Sequence, residues 1–420
     1  MTEPSPAAPP RRLAKVPWLT PAIFGFGIAS LLSDLGHEAG TATMPALLTA
    51  LGAAPAALGL IEGIADGVVS VGKLYGGQLA NRLGWRKPLT IAGYLVTGLA
   101  VGLFGVAQSW VHLLLARVIG WLAKGLRGPS RSAMLADVAA KAALGRAIGF
   151  HRAMDTVGAV LGPLLATLLL SRIPVRQVFL WAMLPGILAA LAFAVLVRGQ
   201  QHTIKEPPPS LWQSLQRLPR GFRRFLVAVL LFGAGDFART LLILRAAQLL
   251  TPTYGATRAA AIGMLLFVLH NLVAAICAYP VGRIADSISP RKLLAVGYGL
   301  GVLTAVLAAL AQPSLAMLTL LFGCAGLVIG IEETIESVVT ARLVEGPLRG
   351  SAYGALAATN GVGDLISSSA VGLLWTALGP LAAFLSAAVA CALGTGLLVF
   401  DLHGAPDKPP DKPPDQAASG

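Results

Sequence analysis

The chain has 420 residues, of which 55% are hydrophobic and 12% charged, and its mean hydropathy is +0.74. Roughly 25% charged residues is usual for a soluble domain, so this composition excludes a soluble fold: there is too little polar surface to cover the apolar side chains. The net charge of +13 would suit a nucleic-acid binder only if the basic residues formed one patch, and they are dispersed over alternate connections.

In chain order, segment 1–20 is polar and proline-rich, with Arg11, Arg12 and Lys15. The first apolar run begins only near Pro21 and lacks a small-residue cleavage site, so no cleaved signal peptide is expected. Runs long enough to cross a hydrocarbon core of about 30 Å follow near 21–49, 56–80, 89–108, 111–126, 147–170 and 177–197. The stretch 198–224 holds Pro207, Pro208, Pro209 and six Lys or Arg residues and reads as a central cytoplasmic linker. Six more runs lie near 225–249, 259–283, 293–311, 314–335, 352–376 and 380–400. The tail 401–420, with its repeated Asp-Lys-Pro-Pro, is too polar to pack and is expected to be disordered. The expected fold class is all-α integral membrane, with twelve transmembrane helices in two pseudo-symmetric six-helix bundles, 21–197 and 225–400.

Of the 32 Lys and Arg residues, 25 fall in the connections on the side of the N-terminus, and three, Arg172, Arg176 and Arg258, fall on the other. The positive-inside rule then places both termini in the cytoplasm and the chain in the cytoplasmic (inner) membrane. Cys277, Cys324 and Cys391 lie inside apolar runs, with no disulfide or metal-knuckle spacing.

Several landmarks recur at an offset of 205 residues. Gly77-x-Leu79-Ala80-Asn81-x-x-x-x-Arg86-Lys87 is echoed by Gly282-x-Ile284-Ala285-Asp286-x-x-x-x-Arg291-Lys292. Gly145, Gly149, Asp155 and Gly158 are echoed by Gly350, Gly354, Asn360 and Gly363. Parallel repeats of this kind place a substrate site near the midplane between two halves.

The Gly77–Lys87 loop resembles the signature between spans two and three of the major facilitator superfamily, with Asn81 where that family has Asp; the echo keeps Asp286 but has Ser289 for the later Gly. Arg117 with Gly120 in span four resembles the family's intramembrane arginine motif, and Gly158-x-x-x-Gly162-Pro163 in span five resembles its antiporter motif. The runs Ser33–Glu38, Gly149–Asp155 and Asp236–Thr240 are loosely similar to a bacterial branch with nickel-resistance exporters. The resemblance implies alternating-access transport, with the first and seventh spans lining the cavity.

Charges near the bilayer centre cost about 2.5–3.5 kcal/mol each on insertion scales, so the ionisable residues within spans are the candidate site. Asp34, His37 and Glu38 share one face of span one, and Glu62, Asp66 and Lys73 one face of span two. Arg117 in span four, Asp155 in span five, Asp236 with Arg239 in span seven and His270 beside Asn271 in span eight complete the set. A carboxylate beside a His can carry a proton near neutral pH; the same donors of Asp34, His37 and Glu38 also suit a divalent metal; and structural ion pairing with Lys73, Arg117 or Arg239 accounts for them equally. At the cytoplasmic end, Arg127 and Arg131 correspond at the repeat offset to Glu332 and Glu336, with Glu333 beside them. Opposite charges in equivalent places suggest a gate that closes across the two halves.

The expected function is secondary active transport of a small solute, as a proton-coupled exporter, since no phosphate-binding Gly-x-x-x-x-Gly-Lys-Ser/Thr loop exists to energise it otherwise. Nickel-like cation efflux, uptake of a small anion or metal chelate against Lys73, Arg117 and Arg239, and a non-transporting membrane sensor are the alternatives. No enzyme activity, no cofactor and no nucleic acid are expected; the partners are a small molecule or ion, protons and the lipid bilayer, and the protein is expected to be a monomer.

Overall fold

The structure, a computed structural model, describes residues 19–83, 85–139, 144–197, 218–285, 288–344 and 349–404, and gives the backbone alone for 77–83, 136, 144–146, 149, 279, 349–351 and 401–404. Among these residues it is nearly all helical. The helices are α1 (Pro21–Ala50), α2 (Pro55–Leu83), α3 (Arg86–Val106), α4 (Trp110–Val138), α5 (Leu144–Leu170), α6 (Val175–Leu196), α7 (Arg220–Gly233), α8 (Arg239–Tyr254), α9 (Ala256–Ala285), α10 (Pro290–Ala309), α11 (Leu315–Leu343), α12 (Arg349–Leu378) and α13 (Pro380–Gly404).

Nine of these 13 helices are long and apolar enough to cross a membrane. The other four are α1 and α4, which carry buried ionisable groups, and α7 and α8, which have 14 and 16 residues. The run expected as one span over 225–249 is therefore interrupted at residues 234–238.

Ends and turns follow local chemistry. Thr20 caps α1 by accepting from the Ile23 amide at 3.3 Å, with Pro21 in the first turn, where its missing N–H costs nothing. The turns after α8 and α12 are tight because Gly255 and Gly379 adopt φ of 75° and 89°, which side-chain-bearing residues rarely reach.

Helix faces show the lipid as solvent. On α6, Leu180, Leu184, Leu188, Leu191 and Val195 form one exposed stripe, while Val178, Phe179, Ala182, Ala189 and Phe193 are buried. A helix apolar on every face fits a bilayer and no aqueous surface. Close approach relies on small residues: a Cβ on Gly186 of α6 would meet Gly98 of α3, and a Cβ on Gly372 of α12 would lie 2.9 Å from the Gly59 Cα of α2.

Helices α1–α6 pack mainly among themselves, as do α7–α13; the two sets meet chiefly at α2–α12 and α5–α9, with α8 and α9 also touching α1. The apolar cores are distributed unevenly. At the end holding residues 39–61 and 241–267, one continuous cluster joins both sets, including Met44, Leu47, Leu58, Leu241, Ile243, Leu250 and Trp375. At the opposite end each set has its own cluster, one built on Ile23, Phe26, Tyr94 and Phe193, the other on Phe222, Phe225, Tyr298 and Leu398. The sets are sealed together at one end only.

Candidate functional site: buried charges and a broken helix

The longest-range polar assembly begins on α4. Arg117 and Glu62, 2% and 3% exposed, form an ion pair of 2.6 Å. Arg117 also donates to Thr41 Oγ1 at 2.8 Å, and its guanidinium carbon lies 3.3 Å from the centroid of the Trp121 ring. One planar fork thus ties α1, α2 and α4 together, using the donor geometry that distinguishes Arg from Lys. Arg117 and Glu62 are committed to each other, which favours the structural reading of these two candidates.

Two turns further along α4, Lys124 Nζ lies 2.7 Å from His37 Nε2. The same ring nitrogen is 3.1 Å from Asp34 Oδ1, and His37 Nδ1 is 3.4 Å from Glu38 Oε1. An ammonium only donates, so beside charged Lys124 the Nε2 position must accept; carrying a proton, Nε2 would instead donate to Asp34. This arrangement weighs against the metal alternative for Asp34, His37 and Glu38: a cation on Nε2 would sit against the Lys124 charge, and among the described residues no group of three His, Cys, Asp or Glu is arranged to hold a metal.

Toward the end with separate cores, Arg127 donates to Ser33 Oγ at 2.9 Å and stacks on Tyr94 with its guanidinium carbon 4.1 Å from the ring centroid. Arg131 donates to Ser30 Oγ at 2.8 Å and to the Tyr94 hydroxyl at 3.4 Å. Ser30 in turn donates to Asp155, which lies 3.4 Å from His151. In the second set, Glu336 accepts from the Tyr298 hydroxyl at 2.6 Å and from Asn360 Nδ2 at 2.8 Å. The expected cross-set gate is therefore not made in this structure: Arg127, Arg131 and Glu336 bond within their own set, at the end where the two sets do not share a core. Glu333 is exposed.

The interruption of span seven carries Asp236, whose carboxylate pairs with Arg239 Nη2 at 2.7 Å. Arg239 also donates to the Phe237 carbonyl at 2.6 Å. Two fully buried serines of α12 satisfy the broken backbone: Ser367 Oγ donates to the Asp236 carbonyl at 3.0 Å, and the Ala238 amide donates to Ser368 Oγ at 3.0 Å. Non-helical backbone at membrane depth persists only with such partners.

The remaining candidates are dispersed. Lys73, expected to face Glu62 and Asp66, is exposed two turns beyond Asp66 on α2, where its charge still bears on Asp66. Asn271 Nδ2 donates to the Ala159 carbonyl of α5 at 2.9 Å, while its Oδ1 lies 3.0 Å from His270 Nδ1. In the signature loop, Arg86 pairs with Asp137 at 3.0 Å and Lys87 donates to the Ala194 carbonyl at 2.9 Å, so they join α3 to α4 and α6. Gly77 and Asn81 lie in α2, their side chains outside the described residues, as is all of Asp286; Gly282 and Arg291 lie in α9 and α10. Gly158 and Gly162 of the antiporter-like motif pack on α1: a Cβ there would lie 2.9 Å from the Cβ of Asp34 and of Glu38 respectively.

A sequence profile of the Major Facilitator Superfamily matches residues 26–260 and 236–419. The chain belongs to that superfamily. Among its superfamily relatives, an uncharacterised MFS-type transporter of Methanocaldococcus jannaschii is 26% identical over 393 residues, 91% of this chain and 95% of the relative. The quinolone resistance protein NorA of Staphylococcus aureus is 28% identical over 173 residues, 41% of this chain and 43% of its own. A bacterial homologue of the human lysosomal transporter Spinster, solved in an inward-facing and occupied conformation, superposes with a TM-score of 0.75 at 16% identity, covering 92% of this chain and 97% of that one. Membership makes this a multi-pass membrane transporter of a small solute.

Within that superfamily frame, the sequence reading missed Lys124, Tyr94, Trp121, Asp364 and the serine pair Ser367 and Ser368. Lys124 sits at the edge of an apolar run and counted there as a boundary charge. The serines carried no signal at all, since their role depends on a break 130 residues earlier.

Proposed function

We propose that the protein is a secondary active transporter that exports a small solute across the cytoplasmic membrane in exchange for protons, by alternating access between two six-span bundles. Helices α7 and α8 together make the seventh of twelve spans, both termini lie in the cytoplasm, and the monomer is the working unit. The observation that carries this reading is the uneven core: one apolar seal spans both sets at one end, and separate clusters stand at the other. At the separated end lie Arg86, Lys87, Arg131, Arg220, Arg223, Arg291 and Lys292, so by the positive-inside rule this form is open to the cytoplasm.

Export draws support from the partial likeness to NorA, a quinolone resistance protein. His37 fits the coupling role, because its Nε2 chooses between Lys124 and Asp34 according to whether it holds a proton. When the cytoplasmic end closes, Arg131 and Glu336 approach each other and form the gate. Anion uptake is less favoured, since Arg117 and Arg239 are already paired with Glu62 and Asp236.

The test is solute flux in proteoliposomes with and without an imposed pH gradient. The proposal requires gradient-driven movement of at least one member of a broad solute panel and proton movement in the opposite direction. Gradient-insensitive facilitated flux would refute the coupling, and a folded protein that moves nothing would favour the sensor reading.

A further inference from the structure

The two sets of helices differ in how completely their charges are answered, with Asp66 a carboxylate of the first set that the pairs below do not include. In the first set, Arg117 answers Glu62, Arg131 reaches Asp155 through Ser30, and Lys124 stands among His37, Asp34 and Glu38. In the second, Arg239 is taken by Asp236 and Arg245 is turned to the Ala311 carbonyl. Glu336 is held by two neutral donors, Tyr298 and Asn360. That leaves Glu332 on α11 and Asp364 on α12 with no ion pair among the described residues.

Glu332 is 8% exposed, and its Oε2 is fully buried with no hydrogen-bond partner. It points into a group of charges: Asp236, Glu336, Arg239 and Asp364 all act on it electrostatically, as it does on Tyr298 of α10 and Cys391 of α13. Asp364 feels Asp66 of α2 as well, across the junction between the sets. An ionised carboxylate cannot stay buried without a counter-charge, so Glu332 needs either a proton or a cationic ligand.

An independent observation on α9 points the same way. Asn271 donates through Nδ2 to the Ala159 carbonyl, which turns its Oδ1 toward His270. Oδ1 only accepts, so His270 donates from Nδ1, and its Nε2 is left as a bare acceptor. That Nε2 is buried and unpartnered, on a residue 4% exposed that senses the Arg239 charge. The unanswered atoms around the Asp236–Arg239 pair thus include two acceptors, a Glu332 oxygen and the His270 Nε2, beside the Arg239 Nε donor and the Thr240 hydroxyl, and an anion would leave both of those acceptors unsatisfied.

We propose that the transported solute is a small organic cation with N–H donors, an amine or guanidine, whose charge is taken by Glu332 and Asp364 and whose hydrogen bonds reach His270. This rests on the transporter reading above and deepens it. In the empty form the two carboxyl groups hold protons, which pass to water when the cation binds. Substrate and protons then compete for one site.

The test uses the purified full chain in detergent micelles. Dicyclohexylcarbodiimide, which reacts with protonated carboxyl groups in apolar surroundings, is mapped by peptide mass with ethidium, spermidine, tetraphenylphosphonium or benzoate present. Labelling of Glu332 and Asp364 is expected without additive, and protection at least tenfold by an N–H-bearing cation, weaker by tetraphenylphosphonium and absent with benzoate. The variants Glu332→Gln and Asp364→Asn should each keep the fold, read by thermal unfolding, and remove protection at the remaining carboxyl. Absence of labelling at both positions overturns the proposal, as does protection by benzoate or by no cation. In the flux assay, movement of anions alone would sink the cation inference and leave the transporter reading standing, whereas protection by cations without any flux would do the reverse.

Discussion

Asn271 on α9 donates a hydrogen bond of 2.9 Å to the carbonyl of Ala159 on α5, joining the second set of helices to the first at mid-depth. A hydrogen bond of this kind contributes roughly 1 kcal/mol net. If it belongs to the cytoplasm-open form alone, Asn271→Leu should shift the balance between the two forms about fivefold toward the other. Accessibility of single cysteines at the charged end to a membrane-impermeant thiol reagent reads that shift, and an unchanged labelling rate would show that the bond persists in both forms.

Arg117 and Glu62 should behave as a structural unit. Removing one partner of a buried pair leaves an uncompensated charge, at a cost of about 3–5 kcal/mol. Arg117→Met should therefore lower the unfolding temperature in detergent sharply, and Arg117→Lys should rescue little, since a lysine cannot reach Glu62 and Thr41 together or stack on Trp121. The double replacement Arg117→Met with Glu62→Leu should recover most of the loss.

Ser368→Ala removes the acceptor for the Ala238 amide in the interrupted span. An unsatisfied buried group costs about 1–3 kcal/mol, so thermal stability should fall by that amount. Replacing Thr376, which receives the Ala56 amide at the exposed end of the same helix, should have a smaller effect. Equal losses at both positions would argue against a special demand from the break.

His37→Gln keeps a polar side chain and removes the proton carrier. Solute exchange at equilibrium should persist, while accumulation driven by a pH gradient should be lost. Loss of both activities in a folded variant would mean that His37 is needed for something other than coupling.

Arg131→Glu and Glu336→Arg should each abolish transport, and their combination should restore part of it if the two groups meet when the cytoplasmic end closes. Failure of that rescue in a stable double variant counts against the gate. The single changes also break the bonds to Ser30, Tyr94, Tyr298 and Asn360, so full recovery is not expected.

Much of the architecture was legible in the chain itself, because hydrophobic length and the alternation of basic connections are set by the bilayer and not by tertiary detail. The repeat offset linking Arg131 to Glu336 suggests a gate between the sets, whereas each group is held within its own set, by Tyr94 in one and Tyr298 in the other. Hydropathy ended span four near residue 126, whereas α4 continues to Val138: Arg127 and Arg131 remain helical because Ser30, Ser33 and Tyr94 answer them from α1 and α3. The break in span seven was illegible for a related reason. Gly233, Gly235 and Asp236 permit it, but Ser367 and Ser368 stabilise it from another helix, and no local pattern announces such a partner.

The central claim is that the charged end opens and closes against the sealed end. On a background lacking Cys277, Cys324 and Cys391, one pair of spin labels at Ser132→Cys and Ser337→Cys spans the charged end, and a second at Gln108→Cys and Gln312→Cys spans the opposite turns. Distance distributions from pulsed electron resonance, taken in mildly alkaline and mildly acidic buffer with and without an organic cation, should show the first distance shortening as the second lengthens. Two distances that stay fixed under every condition, or that change in the same sense, would contradict the account.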